Sequence, residues 1–132
     1  MLHGYVTTCA STVSQKAALA AWTEEAESER AKARNIFRER RDHLLSLISK
    51  ELGLHAVTPD GAFYTMTDVS RYGPSMKVAE TLLEHGVITV PGRAFGQESE
   101  GSLRVSFCAD LSALTEGVRR MGQALKPHSA KV

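Results

Sequence analysis

Apolar positions along this chain change their period near its middle. Between Glu24 and Leu52, Ala33, Ile36, Phe37, Leu44, Leu47, Ile48 and Leu52 recur at helical spacing and draw one stripe along a single long helix. Gly53 follows as the residue that ends it. At a rise of 1.5 Å per residue such a helix is roughly 40 Å long. In a chain of 132 residues it links or spans subdomains more readily than it fills a core of its own. Beyond Gly53 the period shortens. Leu103, Val105 and Phe107 alternate with Arg104 and Ser106, so a strand over 103–107 turns three apolar residues to one face and a cation to the other. Pro59-Asp60-Gly61 predicts a turn before a strand over 62–66 (Ala62-Phe63-Tyr64-Thr65-Met66), and Val87-Ile88-Thr89-Val90 a short strand closed by Pro91-Gly92. Gly73-Pro74 opens a helix between them, with Pro74 in its first turn and Gly86 just past its end. A last helix starts near Asp110 or Ser112 and carries Leu114, Val118, Met121 and Leu125.

The amino-terminal part is less patterned. The first dozen residues, through Ser11-Thr12, are rich in Thr and Ser and read as irregular or extended, while Ala17 to Ala21 favour a helix over 14–22. The tail after Lys126-Pro127 is expected to fray. The order is helix, long helix, strand, helix, strand, strand, helix, with no internal repeat. We therefore expect an α/β class, α+β-like in detail: a small sheet with helices packed on one face, preceded by a long interdomain helix.

Composition narrows the function classes without naming one. The length fits one compact domain, or one with a helical appendage. A hydrophobic fraction of 42% and a net charge of +1 describe an ordinary soluble protein with no global field toward nucleic acid or anionic membrane. Charge is segregated within the long helix: Glu24, Glu25, Glu27 and Glu29 come first, and Arg30, Lys32, Arg34, Arg38, Arg40 and Arg41 follow. That order suits the helix dipole, and without interleaved aromatics it reads as a solvated face before it reads as a nucleic-acid site. Cys9 and Cys108 form no metal-type or redox spacing and are expected to be reduced thiols. His3, His43, His55, His85 and His128 are scattered, so they read as surface or satisfied structural residues and no metal site is expected. There is no signal-peptide pattern and no apolar run long enough to span a bilayer, which leads us to expect a soluble, cytoplasmic protein.

Arg104 carries the candidate chemistry. An arginine on an apolar strand is costly to bury and calls for an anion. Two partners fit the residues alone. One is an Asp or Glu at a sheet edge; the other is a ligand carboxylate in a cleft beside the glycine-punctuated segment Val90-Pro91-Gly92-Arg93-Ala94-Phe95-Gly96. Arg93 reads as a solvent-facing loop residue. Tyr64 and Phe95 read first as packing, with pocket lining as the sharper alternative.

Pro59-Asp60-Gly61-Ala62-Phe63-Tyr64, then Val90 to Gly96, then Leu103-Arg104-Val105-Ser106-Phe107 stand in an order and spacing that resembles the carboxy-terminal part of class I/II aminotransferases, the pyridoxal-phosphate enzymes of fold type I. Arg40-Arg41-Asp42, and Gln15 with Ala17-Ala18, also look like that family, and the resemblance covers about residues 5–125. It implies that residues 1–24 end a large domain, that 25–127 form the small domain and that 128–132 are a tail. The family moves an amino group between an amino acid and a 2-oxo acid on pyridoxal phosphate, as a homodimer in the parent enzyme. The arginine matching Arg104 grips the substrate α-carboxylate, and Ser11 and Thr12 match a segment near the dimer interface and the neighbouring cofactor phosphate. The family's catalytic lysine, in a Ser-x-Ser-Lys-like stretch followed by Gly-x-Arg-x-Gly, is expected in residues preceding this chain. Ser14-Gln15-Lys16 and Ser46-Leu47-Ile48-Ser49-Lys50 lack that continuation and read as surface lysines. No catalytic residue and no covalently bound cofactor is therefore expected here, and the chain alone is expected to be inactive. The alternatives are a non-catalytic α/β binding or dimerisation module with the same fold and, more weakly, a basic-helix nucleic-acid binder.

Overall fold

In a computed structural model, which describes residues 2–126, the chain begins as helix where Thr and Ser content predicts irregular or extended structure. Helix α1 spans Leu2–Thr7. Leu2, Tyr5 and Val6 lie at the i, i+3, i+4 spacing of one helical face, and the Thr/Ser-rich stretch begins only where α1 stops, at Thr8 with φ 55°. Helix α2, Thr12–Ala20, starts and ends two residues earlier than expected, leaving Trp22 outside it. Helix α3 runs from Glu24 to Leu52 as its stripe requires, and Gly53 follows with φ 58°, a left-handed turn that glycine makes without steric penalty.

The chain divides into two compact units between Ile36 and Phe37, inside α3. In the first, none of the described residues is buried. Its part of α3 is held by ion pairs along the helix, Arg30 and Arg34 with Glu27 and Lys32 with Glu29, while Arg30 lies 5.9 Å from the Trp22 ring centre. Ala33 and Ile36 are exposed, so the predicted stripe is buried only from Phe37 onward, where a core exists to receive it.

The second unit supplies that core. Its elements are the second part of α3, β1 (Tyr64–Asp68), α4 (Ser75–Glu84), β2 (Val90–Pro91), β3 (Ser102–Ser106) and α5 (Leu111–Ala124). The strands form an antiparallel sheet in the order β1-β3-β2. Two strands differ from expectation. The first begins at Tyr64 because Ala62 adopts φ 60°, which breaks extended backbone just before it. The second pairs only at Val90 and Pro91, since the Val87 N–H donates to the Leu82 carbonyl and holds 87–89 to the end of α4. Pro91 lacks an N–H and is placed at the sheet edge, where that costs least.

One face of the sheet builds the core. Leu103 and Phe107 pack with Leu44 and Ile48 of α3, Val78 and Leu82 of α4, and Leu114, Val118 and Met121 of α5. Val105 packs partly buried against them. Asp110 caps α5, its carboxylate accepting from the Ala113 N–H at 2.8 Å. Burying these side chains on one side is what holds the small domain together and leaves the opposite face of the sheet free. No helix among the described residues is long and apolar enough to cross a membrane. The predicted fraying after Lys126 lies outside the described residues, as does His128.

Candidate functional site

The face turned from the core is set by register. Met66 and Val90 stand directly opposite Arg104 on either side, and Tyr64 lies two residues along β1 from Met66. All four therefore share that face. The Arg104 guanidinium carbon lies 4.3 Å from the Tyr64 ring centre and 4.6 Å from that of Phe95. Phe95 comes from the 3₁₀ turn Gly92–Phe95 that follows β2. Two aromatic rings on a planar cation attract it through their quadrupoles and restrict its orientation. A guanidinium held against rings at these distances makes no hydrogen bond to them through oxygen, so its donors remain for a ligand, and a carboxylate is the group onto which a guanidinium forks.

Of the two partners that fit the sequence, the acidic residue at a sheet edge is not found among the described residues. Among the described residues, the Arg104 side chain belongs to no ion pair or hydrogen bond. Asp68, at the end of β1, instead accepts from the Ser70 N–H at 2.9 Å, and that bond holds its carboxyl below the usual range. Glu100 accepts at one oxygen, Oε1, from the Ser75 N–H at 2.7 Å and the Gly101 N–H at 3.1 Å, which lowers its pKa as well. Both acids are committed to backbone. The cation on the open face is left with aromatic company only.

Arg93 is exposed, and it lines a cavity of about 560 Å³ with Ser70, Gly73, Pro74, Glu100 and Gly101. Lys16 and Lys50 are exposed on helices. His43 Nε2 is 2.8 Å from the Thr115 hydroxyl, His85 Nδ1 is 2.9 Å from the Thr81 carbonyl oxygen, and His55 is exposed. No group of three or more His, Cys, Asp or Glu among the described residues is placed to hold a metal. Cys9 and Cys108 are free and exposed. Much of the basic run of α3 is engaged within the chain: Arg40 donates to the Cys108 carbonyl, and Arg41 pairs with Asp42 and donates to the Pro59 carbonyl.

Sequence reasoning missed Ser75 and Glu100. Helix α4 starts with Pro74 at its cap, a residue with no side-chain acceptor, so its first N–H must be satisfied from elsewhere. That gap was the available signal. Glu100, distant in sequence, fills it.

A three-stranded antiparallel sheet with helices on one face and an arginine set against two aromatic rings on the other defines a small α/β domain. The model of the family "Aminotransferase class I and II" matches residues 2–121. A probable aspartate/prephenate aminotransferase of Thermus aquaticus is 40% identical over 123 residues, covering 91% of this chain and 31% of that protein. Among solved structures, an aromatic aminotransferase from Pyrococcus horikoshii OT3 superposes with a TM-score of 0.86 at 33% identity, over 94% of this chain and 34% of the other. An aspartate aminotransferase from Thermus thermophilus, solved with maleate, gives 0.82 at 35% identity, over 94% of this chain and 32% of that one. The chain belongs to the class I and II aminotransferases. It spans about a quarter to a third of the length of the relatives it matches.

Proposed function

We propose that this chain supplies the carboxylate grip of a pyridoxal-phosphate-dependent aminotransferase, with Arg104 holding the α-carboxylate of an amino acid or 2-oxo acid. The observation that carries the reading is the guanidinium set against the Tyr64 and Phe95 rings with no acidic partner among the described residues. A carboxylate docked on its edge gains two parallel charge-assisted hydrogen bonds, and the stacked rings have already restricted the rotation such binding freezes. Fixing the carboxylate orients the bond at the neighbouring carbon, where an aminotransferase acts. The Thermus thermophilus relative solved with maleate, a dicarboxylate, supports this class of ligand.

Pyridoxal phosphate supplies the electron sink for amino transfer when it is bound. A lysine that anchors it needs a desolvated pocket. Lys16, Lys32, Lys50, Lys77 and Lys126 are all exposed, so the described residues do not fit covalent anchoring of the cofactor, and we derive no step through it. On this reading residues 1–24 close the large domain of the parent enzyme, 25–127 form its small domain, 128–132 are a tail, and the parent works as a cytoplasmic homodimer. The chain alone does not transaminate.

A titration tests the grip. In the full 132-residue chain, 2-oxobutanoate is expected to shift the Arg104 Nε–Hε resonance saturably, and its methyl ester to leave it unmoved. Arg104→Lys keeps the charge but loses the fork, and should weaken binding about tenfold. No saturable shift at Arg104, or equal binding by Arg104→Gln, overturns the reading.

A further inference from the structure

The two rings on Arg104 are not held alike. Tyr64 sits within the β1–β3 ladder, whose register fixes it. Phe95 is half exposed, stands outside the ladder and the core, and ends a short 3₁₀ turn. Something else must hold that turn against the guanidinium. Resting on the reading of Arg104 as a carboxylate grip, we propose that Ser75 and Glu100 are positioning residues which latch the Gly92–Phe95 turn to the start of α4 and so keep Phe95 on Arg104.

The latch is a short chain of contacts. Ser75 is fully buried, and its hydroxyl accepts from the Arg93 N–H, within the turn, at 3.4 Å. The Ser75 N–H donates to Glu100 Oε1 at 2.7 Å, and the Gly101 N–H donates to the same oxygen at 3.1 Å. One carboxylate oxygen thus joins α4 to the segment that enters β3, and one hydroxyl joins α4 to the turn. Ser102, the first residue of β3, donates from its hydroxyl to the Ser99 carbonyl at 2.6 Å and packs closely against Gly92. The turn is therefore gripped from both sides, by α4 and by the residues leading into β3. The two backbone donors favour the charged form of Glu100 and hold its carboxyl below the usual range, as an acceptor engaged by both N–H groups should be. A 3.4 Å hydrogen bond is long, and a turn held by one such bond needs the second anchor that Glu100 gives to Ser75.

The experiment reads ring currents, which depend on stacking and need no ligand. The Arg104 Nε–Hε resonance of the full chain is recorded for the wild type and for Phe95→Leu, which defines the shift due to Phe95 alone. Ser75→Ala and Glu100→Ala are expected to move the resonance most of the way to its Phe95→Leu position, while the Leu103 and Phe107 signals stay in place. Glu100→Gln retains an acceptor oxygen and should remain near the wild type. In 2-oxobutanoate titrations the two alanine variants should weaken binding about two- to fivefold, as Phe95→Leu does. A wild-type Arg104 shift in both alanine variants overturns the latch. Loss of the core signals in both also overturns it, since the two residues would then support the whole domain and not the turn. Should the wild type bind no carboxylate, the reading of Arg104 fails, but the ring-current comparison still decides the latch.

Discussion

The two faces of the small sheet are built from the same three strands and obey different rules. On one, Leu103 is fully buried, Phe107 nearly so, and Val105 packs against α-helical residues. On the other, Tyr64, Met66, Val90 and Arg104 face away from that core, and Arg104 is half-buried beneath two rings. Burial area decides the first face. Orientation decides the second if Arg104 grips a carboxylate as proposed, because a guanidinium forks onto that group only when its donor edge is aimed. On the proposed reading of Arg104, the difference teaches that stability and binding in this domain are separable by a single residue step along β3.

The sharpest way to break that separation is at Gly92, which touches both. A Cβ there would lie 2.0 Å from the Ser99 carbonyl oxygen and 2.6 Å from the Ser102 hydroxyl. The first of these is backbone, and neither it nor β3 can move without disturbing the sheet. Gly92→Ala is expected to cost about 4 kcal/mol, at the high end for a point substitution, and to displace Phe95 as well. Urea unfolding followed by circular dichroism measures the loss. A cost below about 1 kcal/mol would mean that the turn is free to shift, and that the two faces are independent even here.

Neighbouring residues on β3 give the next largest contrast. Leu103→Ala empties a fully buried site and should cost about 3 kcal/mol. Arg104→Ala removes a side chain that makes no hydrogen bond or ion pair among the described residues, so its cost should stay within about 1 kcal/mol, the worth of its ring contacts. Carboxylate binding should reverse the order, with Leu103→Ala retaining it at low denaturant and Arg104→Ala losing it. Equal destabilisation by the two would remove the distinction between the faces.

The core face was the legible one. Period-two alternation over 103–107 and period-3.6 spacing in α3 and α5 placed Leu103, Phe107, Leu44, Ile48, Leu114, Val118 and Met121 correctly, because burial repeats with backbone geometry. Ala33 and Ile36 continued the same stripe and are exposed, since a stripe says which face is apolar and not whether anything covers it. Strand ends were set by features with no periodic signal: a left-handed Ala62 and the Val87–Leu82 bond. On the open face, alternation located Arg104, and motif spacing supplied a reason for it. Its stacking on Phe95 arises from a turn far along the chain from Tyr64, so it was visible only as two aromatics with uncertain roles. The Ser75–Glu100 contact joins residues that share no pattern at all.

Two threonines of β1 sharpen the comparison at its finest scale. Thr65 and Thr67 both point to the core face and both are buried, opposite Val105 and Leu103. The Thr65 hydroxyl donates to the Val57 carbonyl at 2.6 Å. The Thr67 hydroxyl is buried without a partner in the described structure. A buried hydroxyl that has given up water for nothing is a liability, whereas one that bonds a backbone carbonyl leaves that carbonyl unpaired when it is removed. Valine has nearly the same shape as threonine, so the substitution isolates the oxygen. Thr67→Val should therefore raise stability by about 1 kcal/mol, and Thr65→Val should lower it by about the same amount. Urea midpoints of the two variants, at equal slope, test the opposite signs. If both substitutions destabilise, the Thr67 hydroxyl has a partner in solution, and the inner face is less purely apolar than its packing implies.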